Sequence, residues 1–144
     1  MSDQVEVAGD LPVVAFLCVH NAGRSQMAAG FLRHFGGHRV EVMSAGSAPG
    51  EAVNSVAVEA MAERAIDIGA AVPRRWTDSD IKRADVVITM GCGDECPVHP
   101  GTHYEDWLLG DPAGEGIETV RAIRDEIADR VNDLMSRLGV EPAV

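Results

Sequence analysis

A short apolar run, Leu11-Pro-Val-Val-Ala-Phe-Leu-Cys18, breaks off in a polar loop and leads straight into residues with helical spacing. No other feature narrows the fold as much. The run is rich in β-formers and apolar at consecutive positions, the pattern of a strand covered on both faces. After the loop Val19-His-Asn-Ala-Gly23, apolar residues recur at Met27, Ala28, Phe31, Leu32 and Phe35. That is one stripe of a helix over 24–35, which Gly36-Gly37 stops. The alternation then repeats. Val40-Glu-Val-Met43 reads as a second strand and Val53 to Ala65 as a second amphipathic helix. Thr77-Asp-Ser-Asp80 resembles a capping box opening a short helix through Lys82-Arg83. Ala84 to Met90 reads as a third buried strand, His103 to Trp107 as a short fourth, and Ile117 to Leu138 as a long closing helix. Strands alternating with helices predict an α/β fold: one domain, three layers α/β/α, with a four-stranded parallel sheet. In such sheets ligands bind beyond the carboxyl ends of the strands. The Cys18 loop and the Gly91-Cys92 loop both fall there.

The 144 residues suit one domain, read here as a flexible leader at 1–10 and a folded unit at 11–140. Leu11 to Val19 is the longest apolar run, too short to cross a bilayer, and no basic segment leads into it. A cytoplasmic, monomeric protein is expected. The formal charge of −11 argues against nucleic-acid binding, which needs Lys and Arg surfaces. It also means that an anionic ligand must be held by local donors against a repelling overall field. Three cysteines, an odd number, fit poorly with a secreted disulfide framework and better with chemistry.

That chemistry is most legible in Cys18-Val-His-Asn-Ala-Gly-Arg24-Ser25, where five residues separate a Cys from an Arg between strand and helix. A loop of this length can wrap a tetrahedral oxyanion with the backbone N–H groups of Val19, His20, Asn21, Ala22 and Gly23. The helix start adds partial positive charge. Arg24 adds a bidentate fork to two ligand oxygens. The same field favours the thiolate of Cys18, to which Ser25 can donate a hydrogen bond. Gly23 allows a positive φ or a close approach, and Asn21 can brace the loop through its amide. Two further features await a role. Asp111-Pro112 reads alone as a turn, although a carboxyl there could protonate a leaving oxygen. Cys92 and Cys96, in Met90-Gly-Cys-Gly-Asp-Glu-Cys-Pro97, could form a labile disulfide, serve as small core residues, or join His99 and His103 in a zinc-like set.

The segment Cys18-Val-His-Asn-Ala-Gly-Arg-Ser-Gln-Met-Ala28 resembles the active-site loop of the low-molecular-weight tyrosine phosphatase family, in particular the arsenate reductases built on that fold. The likeness continues through Ser44-Ala-Gly46, Ala84 to Met90, Cys92 to Pro97, Trp107 to Pro112 and Arg124-Asp-Glu-Ile127. It implies that Cys18 attacks arsenate, with phosphate or sulfate as mimics, while Asp111 acts as general acid. It further implies that Cys92 then attacks Cys18, releasing arsenite, and that Cys96 closes a Cys92–Cys96 disulfide for thioredoxin to reduce. No bound cofactor and no metal are implied, only an external thiol reductant.

The chain departs from that pattern twice. The phosphatases carry aromatic residues after the Asp-Pro pair, whereas Ala113-Gly114 follow here, which suits a small inorganic oxyanion. The two resolving cysteines are separated by only three residues, fewer than in thioredoxin-coupled members, so either Cys92 or Cys96 could reach Cys18. A related branch uses mycothiol with a glutaredoxin-like (mycoredoxin) partner and needs no resolving pair. Two competing readings stand beside the reductase. One is a phosphomonoesterase with a Cys18 phosphoenzyme; the other is a metal- or arsenite-binding protein using the Cys/His run. Met27, Met43, Met61, Met90, Trp76 and Trp107 read as packing residues, and Arg74, Arg75, Arg121, Arg124 and Arg130 as solvated.

Overall fold

The computed structural model describes residues 7, 9, 11–91 and 100–143. Strand β1 (Val13–Cys18) leads through the loop into α1 (Arg24–Gly36), and a single 3-10 turn then precedes β2 (Glu41–Gly46). Helices α2 (Ser55–Ala62) and α3 (Asp78–Arg83) separate β2 from β3 (Val86–Met90). Strand β4 (His103–Asp106) and α4 (Ile117–Leu138) complete the fold. All strand pairs are parallel, in the order β2-β1-β3-β4.

The two-residue period of the strands sorts their side chains between two cores. Val14, Phe16 and Cys18 of β1 and Val86, Ile88 and Met90 of β3 pack against α1, α2 and α4. Ala15, Leu17 and Val87 pack on the opposite face with Ile81 and Ala84, the residues of α3 and its end. Both faces are covered, as the uninterrupted apolar runs of β1 and β3 require. Full burial of a side chain such as Phe16 or Leu17 contributes about 1.5–3 kcal/mol. Met27, Met43, Met61 and Met90 all lie in these cores. Trp107 is also buried, its ring 5.8 Å from that of Phe16.

Local signals explain the element ends. Thr77 and Asp80 form the expected capping box. Helix α2 is shorter than its apolar spacing suggests. Asn54 caps it at one end; at the other, Ala65 takes φ 61° and Ile66 N–H bonds back to Met61 O at 3.1 Å. One expectation fails. Arg124 is buried rather than solvated, donating to Ala60 O at 2.9 Å and to Glu63 at 2.7 Å. The carboxylate of Glu63 also takes a fork from Arg121, and with Arg124 this holds its pKa down at about 2. Its tertiary partners give Arg124 a reason to be inside. No described helix is long and apolar enough to cross a membrane.

The chain steps from β1 to β2 on one side, then to β3 on the other. That reversal opens a crevice at the carboxyl end of β1. Cys18 is aligned there with Gly46 of β2 and Met90 of β3.

Candidate active site

Cys18 ends β1 almost fully buried, on the α1 side of the sheet. The loop that follows is shaped by the segment after β2. Ser47 N–H donates to Cys18 O, Ala48 to Val19 O, Gly50 to His20 O and Asn54 to Ala22 O, at 2.7–3.2 Å. With their carbonyls turned outward and engaged, the N–H groups of residues 19–23 find no backbone acceptor among the described residues. Unpaired N–H groups gathered at a helix start form a ready anion cradle. No acidic residue in the first turn of α1 offsets its positive end.

A side-chain chain runs beneath the loop, and its donor directions can be assigned. Arg74 N–H must donate, and it meets Asn21 Oδ1 at 3.0 Å, beside Gln26 Nε2 at 3.1 Å. The other end of the Asn21 amide is therefore Nδ2, which donates to Ser25 Oγ at 2.8 Å. Ser25 is left with its own hydrogen for Cys18 Sγ, also at 2.8 Å. Asn21 itself takes a positive φ of 51°, a conformation its side chain tolerates. Gly23 does not; its φ is −136°, and its small size serves a close approach instead. A Cβ there would lie 2.6 Å from Pro112 Cγ.

Arg24, largely buried, lies 3.7 Å from a carboxylate oxygen of Asp111. A recess lined by Cys18, His20, Arg24, Asn54 and Asp111 results. His20 sits at its exposed rim, one ring nitrogen 3.1 Å from Ala48 O. Asp111 comes from the loop between β4 and α4 and accepts from Ala113 N–H at 3.0 Å. Gly91, with φ 87°, closes over the arginine: a Cβ there would meet Arg24 Nη1 at 2.9 Å. Cys92, Cys96 and His99 lie outside the described residues. Of that set only His103 is described, and it bonds Glu105 at 2.8 Å; no group of three or more potential metal ligands occurs among the described residues. The spacing of residues 18–25 thus found one half of the recess. It missed Asn54, Gly46 and Gln26. Gln26 and Gly46 stood in the motifs that carry the resemblance but without a role, and Asn54 shows in the sequence only as a good N-cap residue before an apolar stripe.

A buried cysteine and an arginine on one loop, at the carboxyl end of a parallel strand and beside a carboxyl group, form a recess whose donors suit a small anion. The family model of the low molecular weight phosphotyrosine protein phosphatases matches residues 13–143, and the chain belongs to that family. The solved structure of the Corynebacterium glutamicum thioredoxin-dependent arsenate reductase is 45% identical with a TM-score of 0.81. The match covers 92% of this chain, which spans only 64% of that one. A Synechocystis protein named glutaredoxin arsenate reductase is 34% identical over 128 residues, 87% of this chain and 97% of its own. An arsenate reductase solved in its phosphate-binding state is 32% identical with a TM-score of 0.79, covering 89% of this chain and 99% of that one.

Proposed function

We propose that this protein reduces arsenate to arsenite, with Cys18 as nucleophile and a thiol relay to an external reductant. The observation that carries the reading is the convergence of Cys18, Arg24 and Asp111 on one recess with room for a small anion, in a chain similar to several arsenate reductases. The loop N–H groups and Arg24 hold three oxygens of the oxyanion. Cys18 thiolate attacks arsenic, a Cys18–arsenic bond forms, and one oxygen departs as water with a proton from Asp111. A second thiolate, from Cys92, then attacks the Cys18 sulfur. The sulfur–arsenic bond breaks, its electron pair stays on arsenic, and arsenic passes from the +5 to the +3 state as the two thiols become a disulfide. Cys96 displaces Cys18 from Cys92, and the dithiol of thioredoxin reduces the resulting Cys92–Cys96 bond.

Support for Cys92 as the second thiol comes from its neighbour. Gly91, which precedes Cys92 in the sequence, packs against Arg24. Thioredoxin is favoured over a glutaredoxin-type partner by the resolving pair and by the 45% identity to a thioredoxin-dependent relative. The apolar, non-aromatic Ala113-Gly114 offers no wall for an aryl ring.

The test is NADPH oxidation with arsenate, thioredoxin and thioredoxin reductase, comparing wild type with Cys18→Ser, Cys92→Ser and Cys96→Ser. Turnover by wild type and failure of all three variants is the expected result. Failure of Cys18→Ser alone, with a small thiol able to replace thioredoxin, removes the relay and keeps the reductase. Hydrolysis of an aryl phosphate with no arsenate-driven oxidation overturns the reading.

A further inference from the structure

We propose that Asn54 is a positioning residue that sets how the Asp111 carboxyl is presented over the Cys18 loop. This role rests on the reading of Asp111 as proton donor. Asn54 stands half-buried where three elements meet. Its backbone N–H donates to Ala22 O at 2.7 Å, tying it to the oxyanion loop. Its Oδ1 accepts from Val56 N–H and Ala57 N–H at 2.8 and 3.0 Å, capping α2. Those two bonds fix the amide orientation, so Nδ2 is the atom facing Pro112 O, at 3.5 Å.

Pro112 is held from its other side by Gly23, where even a methyl group would fall 2.6 Å from Pro112 Cγ. The residue next to the acid is thus gripped between the oxyanion loop and the α2 cap. Among the described residues little else sets the position of Asp111. Its side chain is 56% exposed, and its polar contacts there are the Ala113 N–H and the 3.7 Å approach of Arg24. Once Arg24 turns its donors to a bound oxyanion, that approach weakens. The Asn54–Pro112 contact is long for a hydrogen bond, whose usual length is about 2.9–3.0 Å. Shortening it draws the acid loop over the recess that Asn54 and Cys18 share, as catalytic contacts commonly tighten when ligand enters.

Asn54→Ser tests this, because serine keeps a neutral cap for α2 but is too short to reach Pro112. With saturating thioredoxin, kcat is expected to fall about tenfold, a fraction of the range for a general acid. KM for arsenate should stay within about twofold, because the loop N–H groups are untouched, and Tm should be unchanged. Asn54→Thr, another neutral cap, should behave alike. The readout that separates positioning from plain structural damage is a double-mutant cycle. If Asn54 acts through Asp111, the variant carrying both Asn54→Ser and Asp111→Asn is no slower than Asp111→Asn alone. Losses that multiply, or Asn54 variants with wild-type kcat beside a slow Asp111→Asn, overturn the proposal while leaving the acid in place. A wild-type rate for Asp111→Asn removes the proton-donor reading and this proposal with it.

Discussion

Gly46 has an ordinary, non-positive φ, so replacing it with alanine tests steric reasoning alone. A Cβ at this position would lie 2.5 Å from Val19 O, 3.0 Å from Asn21 N and 3.1 Å from Cys18 O. All three are backbone atoms of the oxyanion loop, which cannot swing aside as a side-chain end does. An ordinary carbon–oxygen contact is about 3.3 Å, so Val19 O must retreat by about 0.8 Å. Displacements near 1 Å at a catalytic centre cost roughly 100-fold in rate. The expected result for Gly46→Ala is therefore a loss of about 30- to 100-fold in kcat/KM for arsenate. Overpacking should cost about 1–3 kcal/mol in stability, lowering Tm by several degrees without unfolding the chain. Gly50→Ala is the control in the same segment. Its nearest foreign atoms, Ala22 Cβ and His20 O, lie at 3.8 Å, and its kcat/KM should stay within about twofold of wild type. The assay is thioredoxin-coupled arsenate turnover beside thermal melts. Gly46→Ala with wild-type kcat/KM, or an equal loss in Gly50→Ala, refutes the account of how this loop is held.

Glu105 on β4 is pulled two ways: burial raises its pKa, but the Arg137 fork and bonds from His103 and Trp107 Nε1 outweigh it and hold the pKa at about 2. A carboxyl held below its unfolded value of 4.5 stabilises the fold above that pH, and the stability is lost as pH falls from 4.5 towards 2. At 1.36 kcal/mol per unit the effect is at most about 3 kcal/mol. Denaturant midpoints across pH 7 to 2.5 should therefore fall less steeply in Glu105→Gln than in wild type, from a lower start at pH 7. Ala65, at φ 61°, pays for a left-handed conformation that glycine adopts freely. Ala65→Gly is expected to raise stability by about 0.5–1 kcal/mol in urea unfolding, with unchanged turnover.

Features settled within a few residues were legible along the chain. Cys18 to Ser25 are covalently close, so one strand–loop–helix junction was enough to place thiol, hydroxyl and guanidinium on one loop. The capping box at Thr77 and Asp80 and the apolar stripe of α4 were legible for the same reason: helical geometry brings neighbours in sequence together. Tertiary structure alone decided what depends on distant partners. Asp111 meets Arg24 because the loop after β4 and the start of α1 line the same recess, not through any spacing along the chain. The sequence left Gly23 either a positive φ or a close approach; Pro112 packed against it makes it the second, while the positive φ falls to Asn21, whose amide is tied to Gln26 and Arg74. Arg124 read as a surface cation because nothing near it in sequence offers a charge partner that would bring it inside; its partners Ala60 and Glu63 lie 64 and 61 positions away. Local propensity carries no information about such contacts. They exist only once the sheet order β2-β1-β3-β4 has brought their elements side by side.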